Sequence, residues 1–203
     1  MAPPRINPGT SAQIGPVNNA ITRVIGLGTG GKPPHVMTTL ARHRGLFRKW
    51  LRFAGALMPG GILPRADTEL LILRVAHLAG SEYEWHHHER IGRLSGLSAE
   101  EIARVRSGPD SEGWTERQRL LLRAADELLA ERTIGDELWG ELAGMLSEDE
   151  LIELCMLVGH YAMLAMTLNA LRVEPDPPPS GGRGPVARIV EAAAARRMGG
   201  SAR

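Results

Sequence analysis

The feature that most constrains the fold of this chain is the run Thr68-Glu69-Leu70-Leu71-Ile72-Leu73-Arg74-Val75-Ala76-His77-Leu78-Ala79, set between Asp67 and Gly80. It is longer than an ordinary strand, rich in helix-forming residues and apolar on nearly every side, so it reads as a helix surrounded by others. Asp67 is placed to cap its start and Gly80 to end it.

The neighbours can be read from the same signals. Val36, Leu40, Leu46, Trp50, Phe53, Leu57 and Met58 recur at helical spacing until Pro59-Gly60-Gly61, as one helix or as two joined near Gly45. The capping pattern of a Ser or Thr followed three residues later by Glu or Gln occurs at Ser81-Glu84, Ser98-Glu101, Thr115-Gln118 and Ser147-Glu150, and each marks a helix start. Leu120 to Leu129 and Leu138 to Leu146 add two amphipathic segments, and the long apolar helix after Ser147 runs to about Leu171, interrupted at Gly159-His160-Tyr161. No stretch alternates convincingly, so the chain is expected to be all-α.

Residues 1–34 carry Pro3, Pro4, Pro8, Gly9 and Pro16 with weak apolar periodicity, and read as an extended arm; 35–173 form the helical domain. In 174–203 a Pro/Gly linker leads to a short basic segment, Val186 to Met198.

Lys+Arg at 24 against Asp+Glu at 23 gives no general field for nucleic acid or an anionic membrane, so the expected binding target is a small-molecule substrate or a protein, and the apolar helices are expected to join copies of the chain in a homo-oligomer. The broken N-terminus and the lack of a clear membrane span lead to the expectation of a cytoplasmic protein. Cys155 is the single cysteine, which excludes a Cys-x-x-Cys redox pair within one subunit, and its apolar neighbours make it an inert thiol.

The densest functional cluster is Ser81-Glu82-Tyr83-Glu84-Trp85-His86-His87-His88-Glu89-Arg90. On a helix, Ser81, Glu84, Trp85 and His88 share one face, with Glu84 and His88 four apart. A carboxylate beside an imidazole is a proton-transfer pair, because His exchanges its charge near neutrality and a neighbouring carboxylate orients the ring. The plainer reading is that Ser81 and Glu84 are only a capping box. Three consecutive histidines diverge by roughly 100° per residue and cannot converge on one ion. A metal using Glu84 and His88 with His77 or His160 stays open as an alternative to metal-free, cofactor-free chemistry. Glu69, in the first turn of the apolar helix, is the other notable acid, and its simpler role is to complement the helix dipole. His160, among methionines, is a candidate pocket wall.

Glu69-Leu70-Leu71-Ile72-Leu73-Arg74-Val75-Ala76 followed by Ser81-Glu82-Tyr83-Glu84-Trp85 and His88 resembles the carboxymuconolactone decarboxylase and alkylhydroperoxidase D-like superfamily. Gly96-Leu97-Ser98-Ala99-Glu100-Glu101-Ile102, Trp114-Thr115-Glu116-Arg117, Ala124-Ala125-Asp126-Glu127-Leu128 and Gly159-His160-Tyr161 extend the likeness over roughly Pro33 to Pro175. The resemblance implies an orthogonal helical bundle that forms a dimer, trimer or hexamer. Glu69 and His88 match the outer positions of the peroxidase branch, and Ser81 and Glu84 stand where its cysteines would be, so thiol peroxidase chemistry is not expected. In the decarboxylase branch, Glu84 and His88 match a Glu–His pair that works without metal or organic cofactor. The implied site has His88, Glu84 and Glu69 as catalytic residues, with Ser81, Tyr83, Trp85 and His160 around the substrate. The implied function is a decarboxylase, lyase, isomerase or cyclase acting on a small carboxylated or lactone-like molecule. A non-catalytic helical binding or assembly module is the rival reading.

Overall fold

The structure, a computed structural model, describes residues 3–29 and 31–177, and the basic segment Val186 to Met198 lies outside them. Among the described residues there are nine helices and no strand. The chain divides into two compact units, Arg52–Leu171 and Met1–Leu51 with Arg172–Arg203.

In the first unit the central element is α4 (Arg65–Leu78), where Leu70 to Leu73, Val75 and Ala76 are all buried. It packs against α5 (Glu82–Leu94), α6 (Ala99–Val105), α7 (Glu116–Ala130) and α9 (Glu148–Leu171). The helix that is apolar all round is thus wrapped all round, as its composition demands. Leu70, Leu73, Ala76, Trp85, Leu97, Ile102, Val105 and Leu122 form one core cluster across four of these helices. Alongside them α8 (Asp136–Ala143) buries Leu138 and Leu142.

Two polar ties fix α4 to α7. Arg74 donates Nε and Nη2 to the two oxygens of Asp126 at 2.6 and 2.8 Å, and Nη1 to the Val105 carbonyl at 2.8 Å. Asp67 accepts from Arg117 Nε at 2.7 Å. Asp67 therefore does not cap α4. The helix begins two residues earlier, at Arg65 behind Pro64, whose carbonyl already accepts from the Thr68 N–H at 3.0 Å. At the other end Gly80 adopts φ 61°, and the Ser81 N–H closes back on the Ala76 carbonyl at 2.8 Å.

Capping follows the sequence at three of the four expected boxes. Ser98–Glu101 and Thr115–Gln118 are reciprocal, and Ser147 and Glu150 exchange N–H···O bonds at 2.8 and 3.3 Å. Ser81 makes no cap. Its ψ is 89°, against 162° at Ser98 and 159° at Thr115, so the turn forced at Gly80 carries its hydroxyl away from the helix N–H groups.

Helix α9 is continuous through Gly159, because Leu157, Val158, His160 and Tyr161 are buried on either side of it and tertiary packing overrides the weak helix propensity of glycine. Contrary to the sequence expectation, α9 is long and apolar enough to cross a membrane, although half of the qualifying window is buried inside the protein.

In the second unit the residues expected to be an extended arm include α1 (Ser11–Thr29), broken at Gly15 (φ 79°) before Pro16. Its pattern is inverted: Ile14, Asn18 and Thr22 are buried while Val17, Val24 and Leu27 are exposed. A buried polar face hides helical periodicity from a hydropathy reading. Asn18 Nδ2 donates to the Ala41 carbonyl at 3.2 Å, and Ile14, Ala41 and Phe47 form a small core. The run after His35 is two helices, α2 (His35–Leu40) and α3 (Arg44–Leu57). The start of the expected linker is tied down, since the His35 N–H donates to Asp176 Oδ1 at 2.6 Å.

Candidate functional site

The packing of α4, α5 and α9 gathers Glu69, Ser81, Glu84, His88 and Tyr161. The first four are between 0% and 4% exposed, far below what isolated polar side chains tolerate. His88 Nδ1–H donates to Glu69 Oε2 at 2.7 Å. The other oxygen, Glu69 Oε1, lies 2.8 Å from Arg65 Nη2 one helical turn earlier, as an ion pair without hydrogen-bond alignment. The carboxylate that holds His88 is thus Glu69, brought from another helix, and not the neighbouring Glu84.

Glu84 is in a different situation. Neither of its carboxyl oxygens has a hydrogen-bond partner, and the Ser81 hydroxyl is likewise buried without one. Burial raises the Glu84 pKa to about 8, with the nearby Ser81 hydroxyl working the other way without an aligned hydrogen bond. Glu84 is therefore a neutral acid at pH 7, able to donate a proton.

Tyr161 meets the His88 ring edge-on at 5.1 Å and donates its hydroxyl to Met58 Sδ at 3.4 Å. Burial and the carboxyls of Glu69 and Glu84 drive its pKa upward, so it stays a phenol. His87 is held neutral by burial, with His88 and Arg90 adding to the effect, and it stacks on Tyr83. Burial also lowers the pKa of His160, whose ring lies between those of Phe53 at 5.3 Å and Tyr161 at 5.2 Å.

The structure therefore joins Glu69, Ser81, Glu84 and His88 in one cluster and places His160 one ring away from His88. Trp85 points elsewhere, into the α4–α6 core, with the Arg106 guanidinium 3.8 Å above its ring. Tyr83 stacks on His87, whose ring in turn meets that of His88 edge-on at 5.3 Å. Two residues outside the sequence-derived set join the site. Arg65 was signalled by its spacing of four from Glu69, and Tyr161 only by following His160. Of the cations near the motif, Arg74 is committed to Asp126, Arg65 to Glu69 and Arg93 to Glu89. Among the described residues no group of three or more His, Cys, Asp or Glu is arranged to hold a metal ion. Cys155 is half-buried, with its thiol pKa pushed up by burial.

Residues 44–127 match the carboxymuconolactone decarboxylase family, a span that holds Glu69, Ser81, Glu84 and His88. That segment is of the carboxymuconolactone decarboxylase type. No curated protein gives a significant match. Among solved structures, the chain is similar to an uncharacterized peroxidase-related protein from Silicibacter sp. TM1040, with TM-score 0.76 and 16% identity over 89% of this chain and 98% of that one. It is also similar to an uncharacterized peroxidase-related protein with an alkylhydroperoxidase AhpD core from Ralstonia eutropha JMP134, with TM-score 0.74 and 17% identity over 87% and 94% of the two chains. The debrominase Bmp8 matches with TM-score 0.71 and 15% identity over 93% and 97%, and a cysteine-to-alanine variant of it has been solved with 2,3,4-tribromopyrrole. At these identities the likeness is one of fold.

Proposed function

We propose that this carboxymuconolactone decarboxylase-type protein is a non-redox acid–base enzyme, a decarboxylase, lyase or isomerase acting on a small carboxylated or lactone-like substrate. The observation that carries the reading is the 2.7 Å hydrogen bond between His88 Nδ1 and Glu69 inside a buried cluster. With Nδ1 committed, any proton that His88 exchanges travels through Nε2, and the carboxylate behind it stabilises the imidazolium that forms. Glu84, carried as a neutral acid, is suited to return a proton to an enolate oxygen or to the carbon that loses CO₂. Ser81 and Glu84 occupy the positions where the peroxidase branch carries cysteines, which supports chemistry without a thiol. The tribromopyrrole bound by the Bmp8 variant supports a small ring as the kind of molecule this fold holds.

The test is proton exchange in D₂O, followed by ¹H NMR over a panel of lactones and enolisable acids. Wild type should exchange the α-proton of at least one compound, and His88→Ala and Glu69→Gln should slow it by about 10²–10⁴, the usual contribution of general acid–base catalysis. Exchange that survives both substitutions, or none across the panel, would refute the proposal.

A further inference from the structure

Tyr161 is built into the candidate site but takes no part in the proton exchange described above. It is 5% exposed, and its ring meets those of His88 and His160 edge-on at 5.1 and 5.2 Å. Its hydroxyl donates to Met58 Sδ at 3.4 Å. A thioether is a weak acceptor, so a good donor is buried with its capacity largely unused. Met58 itself is half-buried and unbranched, between the end of α3 and Pro59-Gly60-Gly61, and can turn aside for a better acceptor.

Other donors share the deficit. Glu84 stands one turn before His88 on α5, so the face that brings His88 to the Tyr161 ring carries Glu84 as well. Among the described residues, neither the carboxyl oxygens of Glu84 (2% exposed) nor the hydroxyl of Ser81 (1%) has a hydrogen-bond partner. The carboxyls of Glu84 and Glu69 both act on the Tyr161 phenol, which sets its hydroxyl within their electrostatic reach. Glu69 cannot absorb these donors, since one of its oxygens holds His88 and the other faces Arg65. A buried cluster with more donors than acceptors is costly until an acceptor enters it.

The chemistry of the donors selects that acceptor. A permanently charged phosphate or sulfate calls for a free cation, and Arg65, Arg74 and Arg93 are each paired with a carboxylate. Uncharged hydroxyls suit an oxygen whose charge develops only during reaction, and a phenol beside a protonated carboxylic acid is an established way to hold an enolate. We infer that Tyr161 and Glu84 form an oxyanion site, both donating to the carbonyl oxygen of a lactone, ketone or thioester while its α-carbon loses a proton to His88. The C–H bond breaks and the proton passes to His88 Nε2. Its electron pair forms a carbon–carbon double bond and leaves the charge on the oxygen between the two hydroxyls. Tyr161 is thereby a catalytic residue. His88 as the base is taken from the function proposed above, on which the oxyanion site rests.

The test uses the full chain and 4-nitrophenol, a planar mimic of an enolate oxygen whose anion absorbs visible light and whose neutral form does not. At a pH below the ionisation of the free probe, wild type should bind it and raise the visible absorbance, the sign of bound phenolate. Tyr161→Phe keeps the ring against His88 and gives up only a bond to a thioether. It should weaken phenolate binding by about 10–100-fold, the range of a hydrogen bond to a charged group. Wild type and variant should bind 4-nitrotoluene, with a methyl in place of the hydroxyl, equally well. No binding or colourless binding in wild type, phenolate binding indifferent to Tyr161→Phe, or an equal loss of 4-nitrotoluene in that variant would overturn the inference. Tyr161-dependent phenolate binding in a protein that exchanges no α-proton across the panel would support the oxyanion site and refute only the base.

Discussion

Replacing Glu84 by Gln should make the protein more stable, and only at high pH. In the folded protein Glu84 titrates near 8 instead of its ordinary 4.5, because burial penalises the carboxylate. Between those two values the folded state holds a proton that the unfolded chain has released, so the free energy of unfolding falls as pH rises. The favourable contribution of the protonated acid is complete below about pH 4.5 and gone above about pH 8. At 1.36 kcal/mol per pH unit, the interval corresponds to on the order of 4–5 kcal/mol. Glutamine has nearly the same shape and no charge to bury, so wild type and Glu84→Gln should unfold at similar urea concentrations at pH 4.5. They should separate progressively up to pH 9, where the variant is several kcal/mol more stable. All other titrating groups cancel in the difference. Urea denaturation at half-unit pH steps measures it, and two parallel stability profiles would refute the argument that Glu84 is carried as a neutral acid.

Two further expectations concern stability. Arg74→Lys keeps the charge but loses the forked pairing with Asp126 and the bond to the Val105 carbonyl, so it should cost about 3–5 kcal/mol in urea denaturation. Ser98→Ala should cost about 1 kcal/mol through loss of its cap, whereas Ser81→Ala should cost almost nothing, since its hydroxyl caps nothing and is buried without a partner.

Much of the site can be read in the sequence, though not its internal pairing. Helical spacing places Glu84 and His88 on one face of α5 and leads to the expectation that they interact. The bond His88 makes instead reaches 19 residues back to Glu69, because α4 and α5 pack together and a tertiary contact outcompetes a pair along one helix. Ser81 followed by Glu84 has the form of a capping box, yet the turn at Gly80 rotates the hydroxyl away from the helix end. The failed cap is what leaves both side chains buried without partners in the site.

The sequence by itself determined the class and the centre of the fold. The apolar run of α4 can be satisfied only by neighbours on all sides, and short-range signals for helix starts and stops depend on a few adjacent residues. It also determined that a Cys-x-x-Cys pair is absent. Tertiary structure decided which groups meet: Glu69 with His88, Tyr161 against them, and Trp85 withdrawn into the core. It decided, too, that α1 is a helix with a polar face inward and that α9 passes unbroken through Gly159. These outcomes depend on which helix faces meet, a long-range property that local periodicity does not carry.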